Sequence, residues 1–154
     1  MKNAKNPKSV LYHGSPKNIK GKYLLPRASY VLKGDSAVFA TNRLEIAALF
    51  AANITDADIY IGVHHGKFYI KEQYPGAFEL LQKPAWIYIV DQDDFKDDPR
   101  LGLRGLEFIS EKKVPIMKKI HINSIWDEIK RRSSKINVIS HKQVMRAIKP
   151  LLKK

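Results

Sequence analysis

Apolar residues recur along this chain with two periods, and the switches between them mark out its elements. Val10-Leu11-Tyr12 is a short apolar run that ends in His13, with Gly14, Ser15 and Pro16 directly behind it. It predicts a strand that stops at the histidine and turns tightly. Gly14 can take dihedrals closed to other residues and lets a ligand near the backbone, while Pro16 cannot continue a ladder. Lys17 to Arg27 reads as a loop, Ser29 to Leu32 as a short extended piece, and Gly34-Asp35 as a turn. Ala37-Val38-Phe39-Ala40 predicts a second strand. Thr41-Asn42 then offers a helix N-cap, and Leu44, Ala47, Ala48, Leu49 and Ala51 follow at helical spacing, so a helix is expected over 42–52.

Asp58 to Val63 and Lys67 to Ile70 are β-rich, and His64-His65-Gly66 between them reads as a hairpin connection. Tyr74 to Lys83 carries Pro-Gly and then a short amphipathic piece. Ala85 to Val90 is apolar without a break, which predicts a strand buried on both faces. An acidic loop, Asp91 to Arg100, leads to a strand over Leu106–Ser110 and a turn at Glu111-Lys112-Lys113. Val114 to Ile122 is a further strand, interrupted by Pro115 and so expected near an edge. Ser124 can cap a helix over 125–132, and Ser140 a second over 141–149 with Val144, Met145 and Ile148 on one face. Residues 1–7 are polar and expected to be loose. Strand, strand, helix, a run of strands and then C-terminal helices over 124–152 is an α+β order, in one domain over 1–154.

Length agrees with that count, since 154 residues bury a real core in a single domain. No apolar run approaches the roughly 20 residues that span a bilayer, so no membrane partner is expected. The N-terminal lysines have no apolar stretch behind them, unlike a secretory signal. The chain has no cysteine. Disulfides, thiolate metal sites and cysteine nucleophiles are thereby excluded. A cytoplasmic setting is expected, with nucleus or virion left open.

Charge changes the picture more. The net charge is +13 and it is segregated. Residues 1–33 hold eight bases and no acid (+8), residues 34–110 seven bases and twelve acids (−5), and residues 111–154 thirteen bases and three acids (+10). Such segregation suits a polyanionic partner such as DNA, RNA or an acidic protein, or ends that neutralise the middle. Lys142, Arg146, Lys149, Lys153 and Lys154 form the candidate nucleic-acid stripe. With only Trp126 near them, they should show weak sequence preference. His13 is either a surface histidine at a strand end or a grip for a polar planar ligand. Glu107, on an apolar strand, is either a solvent-facing carboxylate or one with a function. His64-His65 lacks a spaced third ligand, and adjacent strand residues face opposite sides, so no metal site is expected. The aspartates of 91–98 lack the glycine and terminal glutamate of a calcium loop.

Three of these pieces occur together in one order. His13-Gly14-Ser15 follows a short strand; Ala37-Val38-Phe39-Ala40-Thr41 leads into an Ala-rich helix; Leu106-Glu107-Phe108-Ile109 is followed by Val114-Pro115-Ile116. The set resembles the ADP-ribosyltransferase fold in its poly-ADP-ribose polymerase branch. The resemblance implies an antiparallel-rich, split β-sheet core and NAD as substrate. It implies that His13 bonds a ribose hydroxyl, that the Gly14 backbone grips the nicotinamide amide with Ser15 nearby, and that Phe39 and Phe50 line the site. Glu107 would steady the cationic ribose and polarise the acceptor. Val38 stands where the polymerases place a stacking tyrosine. RNA 2′-phosphotransferases share the fold but carry an Arg-His motif, and here Tyr12 precedes His13, so that activity is less supported. Two functions are therefore expected in competition. One is NAD-dependent ADP-ribosyl transfer to a protein or nucleic acid; the other is a non-catalytic, basic nucleic-acid-binding protein that keeps the fold. The first requires His13, Phe39 and Glu107 around one pocket, flanked by the 42–52 helix.

Overall fold

β-Branched and aromatic residues dominate the apolar runs, and most of them enter ladders. A computed structural model describes residues 9–65, 67–103, 105–132 and 136–152. The first half holds β1 (Val10–Ser15), β2 (Tyr23–Leu24), β3 (Arg27–Ala28), β4 (Ser36–Thr41), α1 (Leu44–Phe50), β5 (Ile59–His64) and β6 (Lys67–Glu72). The second holds β7 (Ala85–Asp91), β8 (Glu107–Ser110), β9 (Val114–Pro115), β10 (Lys118–Ile122), α2 (Ile125–Arg131), β11 (Ile136–Ile139) and α3 (His141–Leu152). Single 3₁₀ turns occupy Ala77–Leu81 and Gln92–Asp94.

The main sheet is six-stranded, in the order β10-β7-β1-β4-β3 with β8 also paired to β4. A second sheet runs β11-β6-β5, and β2 pairs with β9. Every pairing is antiparallel except the parallel β11–β6 ladder. The chain is thus a single α+β domain with mostly antiparallel sheets and, among the described residues, three helices. None of those helices is long and apolar enough to cross a membrane.

Two larger cores flank the main sheet, and a small third one gathers Leu32, Ala37, Leu101 and Ile109. Ile87 of β7 packs with Ile46 and Leu49 of α1, Phe68 and Ile70 of β6, and Ile125 and Ile129 of α2. Tyr88 and Val90 of the same strand join Leu11, Leu24, Val38, Ala40 and Val114 on the other side. Burial of β7 on both faces is what its unbroken apolarity predicts. Fully buried Tyr88 satisfies its hydroxyl by donating to the Lys17 carbonyl (2.9 Å) and accepting from the Ile19 N–H (2.6 Å), which ties the 17–22 loop down.

Several expectations need correction. β1 does not stop at His13; it runs to Ser15 in unbroken register with β7, pairing Gly14 with Ile87 and Ser15 with Trp86. Gly14 serves packing, not a turn. A Cβ there would lie 1.8 Å from the Ala47 carbonyl oxygen of α1. Ser29–Leu32 does not extend; the chain turns over 30–34, with Lys33 and Gly34 at positive φ. α1 starts two residues later than expected, because Thr41 is still strand, paired with both Tyr12 and Glu107. Its Oγ1 accepts the Arg43 N–H, and the Asn42 amide is spent on the Gly105 carbonyl, so neither caps the helix. The strand expected over Val114–Ile122 divides in two: β9 pairs with β2, and β10 lies at the edge of the main sheet against β7, in keeping with the edge position expected from Pro115. The 124–152 segment is not helical throughout, since Ile136 and Val138 put β11 between the helices. Ser124 and Ser140 do cap α2 and α3; Ser140 and Gln143 form a reciprocal capping box. Residues 1–7, Lys153 and Lys154 lie outside the described residues.

Candidate functional site

Strands β1 and β4 share a single registered pair, Tyr12 with Thr41. On the other edge of Thr41 lies Glu107, the first residue of β8. Beyond Thr41, the contact from β1 to β4 is a side-chain one: His13 Nδ1 lies 2.6 Å from the Phe39 carbonyl oxygen. The strands part there, and the main sheet opens between His13–Ser15 on one side and Ala37–Phe39 on the other.

A cavity of about 410 Å³ sits at the junction. His13, Gly14, Phe39, Phe50 and Glu107 all line it, so five of the expected site residues converge on one place from β1, β4, α1 and β8. Ser15, the sixth, lines an adjoining cavity of about 620 Å³, which shares His13, Gly14, Ser29 and Phe39 with the first. α1 flanks the site because Gly14 lets its Ala47 backbone descend onto β1.

The Phe39 carbonyl can only accept, so His13 Nδ1 carries the proton and, in the neutral ring, Nε2 presents a lone pair. Burial pushes the His13 pKa below its ordinary 6.5, the hydrogen bond to Phe39 works against this, and the Arg27 charge adds to it. At neutral pH the imidazole is therefore uncharged, able to accept one hydroxyl proton. Glu107 is perturbed in the opposite sense. Burial pushes its carboxyl above the ordinary 4.5, partly offset by a hydrogen bond from the Leu103 backbone. No ion pair holds it among the described residues. A half-buried carboxylate without a counter-charge is poised to stabilise a cation brought to it.

Sequence reasoning missed three charged residues of the cleft. Asp56 adds a second carboxylate to the smaller cavity, and Lys17 and Arg27 bring positive charge to the larger one. Arg27 lies on a two-residue strand and Asp56 in a turn, too short for any periodicity to mark them. Lys142, Arg146 and Lys149 are exposed on α3 and do not line the cleft. Among the described residues no cluster of three or more His, Asp or Glu side chains could hold a metal. The two adjacent histidines do not face opposite sides as expected: His65 leaves the strand at φ 50°, and its ring meets His64 edge-on at 4.1 Å.

No protein-family model, curated protein or solved structure matches this chain.

Proposed function

We propose that this protein transfers ADP-ribose from NAD to a macromolecular acceptor, on a fold of the ADP-ribosyltransferase type. The observation that carries the proposal is the convergence of His13, Gly14, Phe39, Phe50 and Glu107 on one cavity at the split between β1 and β4. The two adjoining cavities suit a two-part ligand. The smaller is mostly apolar and takes the flat nicotinamide between Phe39 and Phe50; the larger has Lys17 and Arg27 for the diphosphate. His13 Nε2 accepts a ribose hydroxyl.

When the glycosidic bond breaks, its electron pair leaves with nicotinamide and C1′ of the ribose becomes cationic. The Glu107 carboxylate opposes that charge inside a cleft where water screens it poorly, as carboxylates do in glycosidases. The acceptor then bonds to C1′ and gives its proton to Glu107 or to water. Asp56 lies at the same cavity to orient the acceptor.

A non-catalytic nucleic-acid-binding protein on the same fold is the alternative. Val38 favours it: the residue standing where a tyrosine would stack is 2 % exposed and packed into the second core. Release of nicotinamide from NAD, with water as the default acceptor, separates the two. Glu107→Gln should keep the fold and cut the rate about 10²–10³-fold, the usual cost of losing one group that stabilises transition-state charge. Equal rates in the two proteins, or no release from either, would leave the binding protein as the answer.

A further inference from the structure

We propose that the outer face of the β5–β6–β11 sheet binds single-stranded nucleic acid, stacking unpaired bases on Tyr60 and Tyr69. The inner face of this sheet is core, with Ile59, Phe68, Ile70 and Ile136 all buried. Strand alternation turns the other set outward, and the registers arrange it in rows. Tyr60, Lys71 and Ile139 form one row across β5, β6 and β11, Gly62, Tyr69 and Asn137 form the next, and His64 lies opposite Lys67. None of the outward positions carries a carboxylate.

The rings are arranged as a platform. Tyr69 lies across Gly62, where a Cβ would come 2.8 Å from its hydroxyl oxygen and 2.9 Å from the Tyr60 ring. The absent side chain at Gly62 is what lets both rings lie low over the strands. Their centroids are 5.9 Å apart at an interplanar angle of 39°. Lys71 Nζ sits 5.6 Å from the Tyr60 ring centre. Beside the tyrosines a hollow of about 430 Å³ is lined by His64, His65, Lys67, Tyr69 and Asn137. Tyr60 is 38 % exposed.

Aromatic faces interleaved with lysines and free of acids match one partner chemistry: a phosphate backbone that carries unstacked bases. An acidic protein would satisfy the lysines but leave the rings without a use. A duplex would satisfy the phosphate contacts but hide the base faces.

The inference concerns a surface outside the cleft and does not rest on NAD chemistry. Ile61 of β5 lines the cleft while its neighbours Tyr60 and Gly62 belong to the outward set. The two surfaces are thus separated by the thickness of one edge strand.

The test is fluorescence-anisotropy titration of the full chain with a labelled mixed-sequence single strand of about 10 nucleotides, and with the matching duplex, in the absence of NAD. The single strand should bind about ten-fold more tightly than the duplex. Tyr60→Ala should weaken it about ten-fold, the usual worth of one base–aromatic stack. Gly62→Ala retains both tyrosines but lifts their rings, and should also weaken binding. Neutralising Lys67 and Lys71 should flatten the log–log salt dependence by about 1.4. No binding at low salt, equal affinity for the duplex, or unchanged affinity in Tyr60→Ala with circular dichroism intact would each overturn the proposal. Nicotinamide release measured without oligonucleotide reports on the cleft separately, so either proposal can fail alone.

Discussion

The cleft at the β1/β4 split and the outer face of the β5–β6–β11 sheet both carry histidine and aromatic rings, but they differ in burial, and only the cleft carries carboxylates. In the cleft, His13 and Glu107 are largely withdrawn from water, and burial drives each toward its neutral form. On the sheet face, Tyr60, His64 and Lys67 are exposed. A histidine and a carboxylate held away from solvent are costly to bury, and such groups cluster at sites where charge develops. Exposed rings and lysines cost little and are useful for association. The two surfaces meet at β5, so the two proposed functions would divide across one strand, by burial as well as by residue type.

The sharpest way to break this comparison is to remove the cleft's architecture. Gly14→Ala puts a Cβ into the Ala47 carbonyl, backbone against backbone, where no side chain can rotate away. We expect a loss of about 3 kcal/mol or more, hence a fall in Tm of roughly 6–12 °C. Gly62→Ala meets only the ends of two tyrosines and should shift Tm by about 2 °C or less. If Gly14→Ala melted like the wild type, α1 could not sit on β1 as described, and the cleft would lose its flank.

Next in size is His13→Ala. It removes the proposed acceptor for a ribose hydroxyl and leaves the Phe39 carbonyl without its donor. Apparent KM for NAD should rise about ten-fold with a smaller change in kcat, the pattern of lost ground-state binding. Oligonucleotide affinity should not change. A change in both activities would mean that the two surfaces are coupled.

Sequence made the cleft readable and the sheet face not, for a physical reason. His13 and Glu107 each interrupt an apolar strand, a local signal that leaves a bland and a functional reading open, and it is the resemblance that adds Phe39 and sets the three in one order. The platform has no such local signal. Tyr60 and Tyr69 belong to two ordinary alternating strands, and only the register that sets Gly62 against Tyr69 brings their rings together. Even in the cleft, the sequence around Gly14 reads as a turn, whereas the glycine serves a close approach of helix to strand. Contacts between elements distant in sequence, including Gly14 with Ala47, leave no periodic trace. The same holds for β11, whose four residues pair with β6 in parallel across the chain.

The pH dependence of stability sharpens the contrast further, because the two buried groups have opposite signs. The folded pKa of His13 lies below 6.5, so the unfolded chain takes up a proton first as pH falls. The stability His13 contributes is complete above 6.5 and is lost as pH falls through the depressed value. The folded pKa of Glu107 lies above 4.5, so the unfolded chain releases its proton first as pH rises. Its contribution is complete below 4.5 and is lost as pH rises through the raised value. Glu107→Gln should therefore be more stable than wild type at about pH 7 and no more stable at about pH 4. His13→Gln should blunt the loss of stability on acidification below 6.5. Denaturant titrations at the two pH values read both, and a Glu107→Gln protein equally destabilised at each would deny that the carboxylate is buried at a cost.

The smallest expected effect concerns α3, whose Lys142, Arg146 and Lys149 are exposed on one stripe. Neutralising all three to Gln should weaken oligonucleotide binding a few-fold at low salt. The slope against log salt should flatten by about 2, because each phosphate contact on a single strand contributes about 0.7. The ratio of single-strand to duplex affinity should stay where it was, since lysines read phosphates and not base faces. Tyr60→Ala should do the reverse, lowering that ratio while leaving the slope unchanged. A stripe substitution that altered the ratio would move base recognition from the sheet face to the helix. One that altered neither would make α3 a solvated surface, and leave Lys67 and Lys71 as the phosphate contacts that matter.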